Sequence, residues 1–316
     1  MGGKAIEIDD NKLGAAIQYF REIHQVSQSK LCKGLCSVAT LSRIESGERD
    51  VDALLLETLL ERLGKTPNQF ELILTDFDYK TYQKREQIKR LIDNRETEAA
   101  SALLASYKKM AFSKASVHKQ FVVRCKALLN ELQGGSIQET IELLKKAISY
   151  TVPDFKHYRI QEYYLSNSEL NIIIDIIQRL IELDPKNQDK ELLFQVLDYL
   201  DEHDSLEKNN RLYPKVAILA CRLLMKEKNY DKALEICEKG LERNKGSRML
   251  DYLGELYLIK AQTIEAIQKA LKDGKAEVCI DEYLKSYYVF SFCEEKVAAE
   301  EIRKHLQEEY QWECIA

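Results

Sequence analysis

The chain has 316 residues, 45 % of them hydrophobic, with only 12 glycines, 4 prolines and a formal net charge of −5. That hydrophobic content excludes wholesale disorder, and the scarcity of turn residues points to a nearly all-helical protein of two domains, or of one domain and a repeat array. The mild acidity excludes a chain that coats polyanions indiscriminately, while leaving room for a local basic face.

No apolar run approaches the roughly 20 residues of a membrane span, and the first residues hold no signal-peptide apolar core; no membrane partner and a cytoplasmic setting are expected. The eight cysteines, at 32, 36, 125, 221, 237, 279, 293 and 314, are then expected as free thiols filling small apolar sites.

Taken in order, residues 1–12 are polar and read as a flexible N-terminus. Leu13, Ile17 and Phe20, with Ala16 beside them, recur at helical spacing and predict a first helix ending near His24. The run SQSKLCKGLCSVATLSRIESG, 27–47, reads as two short helices joined by a tight turn. Ser27 caps the first helix, Gly34 permits the turn, Ser37 caps the second and Gly47 ends it. Leu31, Leu35, Leu41 and Ile44 supply the apolar contacts between them. Asp52 caps a fourth helix carrying Leu55, Leu56, Leu59, Leu60 and Leu63, and Thr66-Pro67 starts a short fifth through Phe70 and Ile73. Five helices over 13–75 make a complete small domain.

Beyond Asp76 helical stretches of roughly 15–20 residues alternate with short breaks near Asn94, Phe112, Gly134-Gly135, Pro153, Pro185, Pro214, Asn229, Gly246 and Gly274. They pair into helical hairpins. The clearest spans 211–244, where NYDKALEICEKGLERN resembles the second helix of a tetratricopeptide repeat; GSIQETIELLKKAISY, 135–150, is a weaker copy. Residues 76–316 are therefore expected to form an α-solenoid serving as a sensor and dimerisation domain, capped by a long apolar-faced segment over 275–311.

Leu13-Gly14, Ile17, Arg21, Ser27-Gln28, Leu31 and the run Leu41-Ser42-Arg43-Ile44-Glu45-x-Gly47 together resemble the lambda-repressor-like, XRE-type helix-turn-helix family. The fold class expected is all-α: a five-helix DNA-binding domain followed by a right-handed α-solenoid of degenerate TPR-like hairpins. In such domains the second helix of the motif presents its N-terminal turn to base edges in the major groove. Here that surface is Ser37, Val38, Ala39, Thr40 and Arg43, with methyl groups suited to thymine and a guanidinium suited to guanine O6 and N7. Ser27, Gln28 and Lys30, joined by Arg49, are the phosphate contacts. The resemblance further implies a structural ion pair between Arg21 and Glu45. Between Ser27 and Ile44 there are three basic residues and no acidic one, although residues 1–75 sum to −2 from nine basic and eleven acidic residues. One departure is Glu48-Arg49-Asp50-Val51-Asp52: three acids beside the phosphate backbone weaken nonspecific affinity, which leaves two readings, binding that depends on a homodimer or a domain that has drifted from DNA.

The order of the two parts is similar to that of the Rgg/PlcR group of peptide-pheromone receptors. That likeness implies a double-stranded DNA partner and a short peptide or protein effector held in the solenoid, where amide, guanidinium and phenol side chains bind an extended backbone. The inner-helix candidates are Asn130, Asn171, Gln178, Arg222, Tyr252 and Gln262. The alternative is an interaction scaffold whose first domain serves dimerisation or protein contact.

Cys32, Cys36 and His24 give three metal-ligand types without a fourth, so no metal site is expected. No nucleophile elbow, phosphate loop or HExxH pattern occurs, and His24, His118, His157, His203 and His305 stand apart in the sequence. Neither catalysis nor a cofactor is expected.

Overall fold

A computed structural model describes residues 12–65, 75–111, 115–155, 159–183, 190–203, 212–247, 250–271 and 276–312, and the chain forms two compact units, 1–192 and 193–316. Among the described residues there are fifteen α-helices and no strand. The first unit opens with α1 (Lys12–Ile23), α2 (Gln28–Leu31), α3 (Val38–Glu45) and α4 (Ala53–Arg62). It continues through α5 (Asp76–Asp93), α6 (Thr97–Ala111), α7 (Ser116–Leu132), α8 (Ile137–Ser149) and α9 (Asn167–Leu183), with a single 3₁₀ turn at Ile160–Glu162. The expected fifth helix, from Thr66-Pro67 through Phe70 and Ile73, lies outside the described residues, as does the expected flexible 1–12 except for Lys12, which opens α1.

Each short helix of the first part starts where its cap places it. Ser27 Oγ accepts from Lys30 N at 3.3 Å, Ser37 Oγ from Thr40 N at 3.1 Å and Asp52 Oδ1 from Leu55 N at 3.2 Å. The start of α4 receives a second carboxylate, because Asp78 Oδ1 accepts from Ala53 N at 3.0 Å. The other oxygen of Asp78 closes a capping box with Thr75 at the start of α5. One buried aspartate thus joins the N-termini of α4 and α5. Ile17, Leu31, Leu41, Ile44, Leu56 and Leu59 are buried in one core with Val117 of α7, with Tyr164 packed against it.

Gly14 answers for the close crossing of α1 and α3: a methyl group there would sit 1.9 Å from the Ile44 carbonyl oxygen. Downstream, α5 to α9 pack as successive neighbours, and α5, α6 and α7 enclose a second core around Ile88, Leu104, Tyr107 and Val122.

In the second unit α10 (Lys190–His203), which starts at the division, is followed by α11 (Leu212–Lys226), α12 (Tyr230–Ser247), α13 (Leu253–Leu271), α14 (Ala276–Phe292) and α15 (Lys296–Tyr310). The hairpin expected over 211–244 is the pair α11 and α12. Small residues let these helices approach. Ala233, Cys237 and Ala261 are wholly buried, and the thiols of Cys221, Cys237 and Cys279 donate to the carbonyls of Ala233, Leu256 and Ala261 at 3.2, 3.2 and 3.3 Å. The apolar-faced segment expected over 275–311 is built as a hairpin, α14 followed by α15. Its break falls at Cys293-Glu294-Glu295, where Glu294 adopts φ +60° and the amide of Glu295 bonds back to the Phe290 carbonyl. The break lies in a charged stretch, Glu294-Glu295-Lys296, that holds no Gly or Pro, so turn residues did not mark it.

Candidate nucleic-acid interface

The turn between α2 and α3 is built on Gly34, at φ +76°, a left-handed conformation that penalises any side chain. It leaves α3 projecting with Ser37, Val38, Ala39 and Arg43 exposed and Thr40 half-buried. Val38 is 44 % exposed, which separates it from the neighbouring core leucines; it lies on the outer face. Arg43 is exposed on that same helix, with no side-chain partner among the described residues. Arg49 reaches back across the start of α3, donating to Thr40 Oγ1 at 3.5 Å. Ser27 and Lys30 are exposed at the start and in the last turn of α2.

Behind this surface lies a polar cluster. Arg21 Nε and Nη2 donate to the two oxygens of Glu45 at 2.7 and 2.8 Å, a bidentate pair, and Gln28 Nε2 donates to Glu45 Oε2 at 2.7 Å. Bonding to Glu45 raises the Arg21 pKa above its ordinary value, even though burial opposes the charge. Gln28 is therefore bonded to the brace, and one of its two amide N–H groups remains for an outward acceptor.

The acids after Gly47 divide in function. Glu48 and Asp50 are exposed, but Asp52 caps α4 and its Oδ1 also lies 3.2 Å from His118 Nε2. His118 is fully buried, and its Nδ1 is 2.6 Å from Tyr107 Oη. Burial raises the Asp52 pKa, but the bond and charge of His118 and the Leu55 amide outweigh it and leave Asp52 below its usual value. In sequence His118 stands alone; folding brings it, on α7, between the cap of α4 and Tyr107 of α6.

The residue that the motif-based reading missed is Arg62. It is 4 % exposed and all five of its N–H donors are occupied. Nη1 donates to the carbonyls of Leu31 and Lys33 at 2.9 and 2.8 Å, and Nη2 to Thr151 O at 3.0 Å. Nε and Nη2 form a fork with Glu169, at 3.1 and 2.5 Å. Burial pushes the Glu169 pKa up, but the Arg62 charge and hydrogen bonds from Arg62 and Ser166 bring it below its usual value. Beside it Glu61 accepts from Asn167 N at 3.0 Å; burial, and then the charges of Glu57 and Glu169, push the Glu61 pKa up to about 8. An arginine in the last turn of a leucine-rich helix carries no sequence signal beyond favourable helix charge, because its acceptors lie up to 107 residues away.

Burial raises both thiols of the Cys32–Cys36 pair, that of Cys36 to about 11. Among the described residues no group of His, Cys, Asp and Glu has metal-binding geometry.

Of the effector candidates, Asn130, Asn171 and Gln178 lie in the first unit, and Arg222, Tyr252 and Gln262 in the second. Asn130 donates to Thr140 Oγ1 at 3.1 Å and lines a groove of about 390 Å³ with Leu104, Lys108, Lys126 and Leu143. Asn171 bonds the carbonyl of Asn167 at 2.9 Å, Gln178 bonds Glu182 at 3.2 Å, and Arg222 pairs with Glu255. Tyr252 sits in the left-handed region ahead of α13, and Gln262 is exposed on it. Residue type does not distinguish a groove side chain from one that bonds its own helix. Among the described residues no helix is long and apolar enough to cross a membrane.

Residues 17–70 match a helix-turn-helix domain, and residues 155–310 match the RNPP family C-terminal domain. No functionally curated protein matches the chain. Among solved structures, Bacillus thuringiensis PlcR in complex with the peptide PapR7 and DNA is similar at 20 % identity and TM-score 0.57, over 92 % of this chain and 99 % of that one. PlcR in its apo form is similar at 18 % identity and TM-score 0.56, over 92 % and 98 %. The apo form of ComR from S. thermophilus has 19 % identity and TM-score 0.46, over 94 % and 98 %. The PlcR likenesses support the all-α architecture.

Proposed function

The chain joins an N-terminal helix-turn-helix domain to an RNPP family C-terminal domain, and from that premise we propose that it is a cytoplasmic, homodimeric, sequence-specific transcription regulator. It has no catalytic role; its C-terminal part binds a short peptide that modulates DNA binding. The observation that carries this reading is the outward face of α3: an exposed valine, an exposed alanine and an arginine with no side-chain partner among the described residues, on a helix whose opposite side is core. Val38 and Ala39 offer methyl contacts to thymine, and Arg43 pairs with guanine O6 and N7. Ser27, Gln28, Lys30 and Arg49 hold phosphates, while Ser37 and Thr40 complete the leading turn. Arg21 and Glu45 brace α3 from behind. Peptide binding is supported by the family of the C-terminal domain and by the peptide and DNA present together in the PlcR complex.

Random-site selection with the full-length chain tests the proposal. A duplex is recovered, carrying two half-sites separated by about one helical turn or a multiple. Arg43→Ala weakens binding to the selected site far more than to scrambled DNA, whereas Gln28→Ala weakens both alike. Binding also falls steeply with salt. A selection that enriches nothing at low salt refutes the reading and favours a protein-contact role for the first domain.

A further inference from the structure

We infer that Arg62 is a positioning residue for DNA recognition, and that with Glu169 it clamps the turn of the helix-turn-helix onto the connector between α8 and α9. The inference rests on the DNA-binding reading above for its consequence, but not for its geometry. Arg62 binds the two carbonyls that end α2 and begin the turn, Leu31 and Lys33. The same guanidinium is held on its far side by Glu169 in the first turn of α9 and by the carbonyl of Thr151 just beyond α8.

Two further contacts join the turn and the connector independently of Arg62. A methyl group on Gly34 would sit 1.9 Å from the Thr151 carbonyl oxygen and 2.8 Å from Pro153 Cδ, so the two backbones touch. Lys33 Nζ also pairs with Asp154 at 3.0 Å. Gln120 Nε2 bonds Thr151 Oγ1 at 2.5 Å, tying the connector to α7.

The physical consequence follows from the donor geometry. A planar guanidinium with five fixed donors cannot satisfy four acceptor residues unless all four keep their relative positions. The turn that sets how α2 and α3 meet is thus indexed to the connector and the α9 N-terminus, not only to the small core around Leu41. A displacement of the connector would move the turn, and a weakened clamp would loosen the angle at which α3 is presented.

The test uses the full-length chain, with Glu169→Gln and Arg62→Lys as the primary variants. Both keep size and lose the fork. Arg62→Met combined with Glu169→Met supplies a second route, because apolar replacement of both partners of a buried pair commonly preserves folding. The first readout is amide hydrogen exchange at residues 32–36, expected to accelerate by at least ~10-fold while the amides of α13 and α14 keep their rates. The second readout is the ratio of affinities for a duplex recovered by random-site selection and for its scrambled version. Partial unfolding lowers both affinities equally and leaves the ratio unchanged, whereas a misplaced α3 lowers it by about 10-fold. Unchanged exchange at the turn in folded variants overturns the clamp, and an unchanged ratio overturns its role in recognition. If the unaltered chain selects no duplex, the DNA-binding reading fails with that role, and the exchange data alone decide the clamp.

Discussion

Replacement of Glu45 by alanine tests the brace behind α3. The carboxylate accepts three side-chain hydrogen bonds, two from Arg21 and one from Gln28, all between 2.7 and 2.8 Å. The side chains of Arg21 and Glu45 are 13 % and 4 % exposed, so the pair is largely withdrawn from water. Removing one partner of a buried pair costs about 3–5 kcal/mol, chiefly from the charge left behind. Arg21 would keep the Val26 carbonyl at 3.2 Å, Glu22 at 3.8 Å and some solvent, which lowers the expected loss to about 2–4 kcal/mol. For a cooperative unit of this size that corresponds to roughly 4–16 °C in Tm. The assay is urea denaturation of the full chain combined with hydrogen exchange at α1 and α3, so that the first unit is followed by its own amides. The double variant Arg21→Met/Glu45→Met is expected to recover most of the loss, because neither charge is then buried alone. A loss under about 1 kcal/mol for Glu45→Ala, the range of exposed pairs, would refute the reasoning.

Glu61 gives a pH dependence of unusual sign. Its folded pKa of about 8 lies above the ordinary 4.5, so the folded chain holds an extra proton between those values, and this contribution to stability falls as pH rises through that window. Glu61→Gln should flatten that slope in melts recorded from pH 5 to pH 9 and leave the variant the more stable chain at the upper end; parallel curves for the two chains would contradict this. Asp52 and Glu169 act in the opposite direction: their pKa values are lowered, so their contribution is present at neutral pH and is lost as the solution is acidified below the usual carboxylate range. Asp52→Ala removes both the cap of α4 and the partner of His118, and a denaturation midpoint corresponding to a loss of about 1–2 kcal/mol is expected. Gly14→Ala places a methyl group 1.9 Å from the Ile44 carbonyl, and overpacking of this kind costs about 1–3 kcal/mol. An alanine variant melting with the parent would show that α1 moves aside freely.

Local chemistry determined much of this protein in advance. Ser27, Ser37 and Asp52 cap the helices they precede, because a cap depends only on amides two or three residues ahead. Gly34 marks the turn, and the small residues Ala233 and Cys237 identify a helix of a tightly packed hairpin. The pairing of Arg21 with Glu45 was legible through family resemblance rather than spacing, since no local rule joins residues 24 apart. Other features were set only by the tertiary structure. The break at Glu294, where φ is +60°, falls in a charged stretch without Gly or Pro to announce it. Of three acids after Gly47 that look alike in sequence, Asp52 is bound to a buried histidine 66 residues away. Arg62, an ordinary arginine at the end of a leucine-rich helix, finds acceptors on α2, the turn, the α8–α9 connector and α9. Caps and turns are decided by neighbours in the chain and can be read from it. A buried charge is decided by whatever the fold brings to its donors, and that sum exists only once the helices have packed.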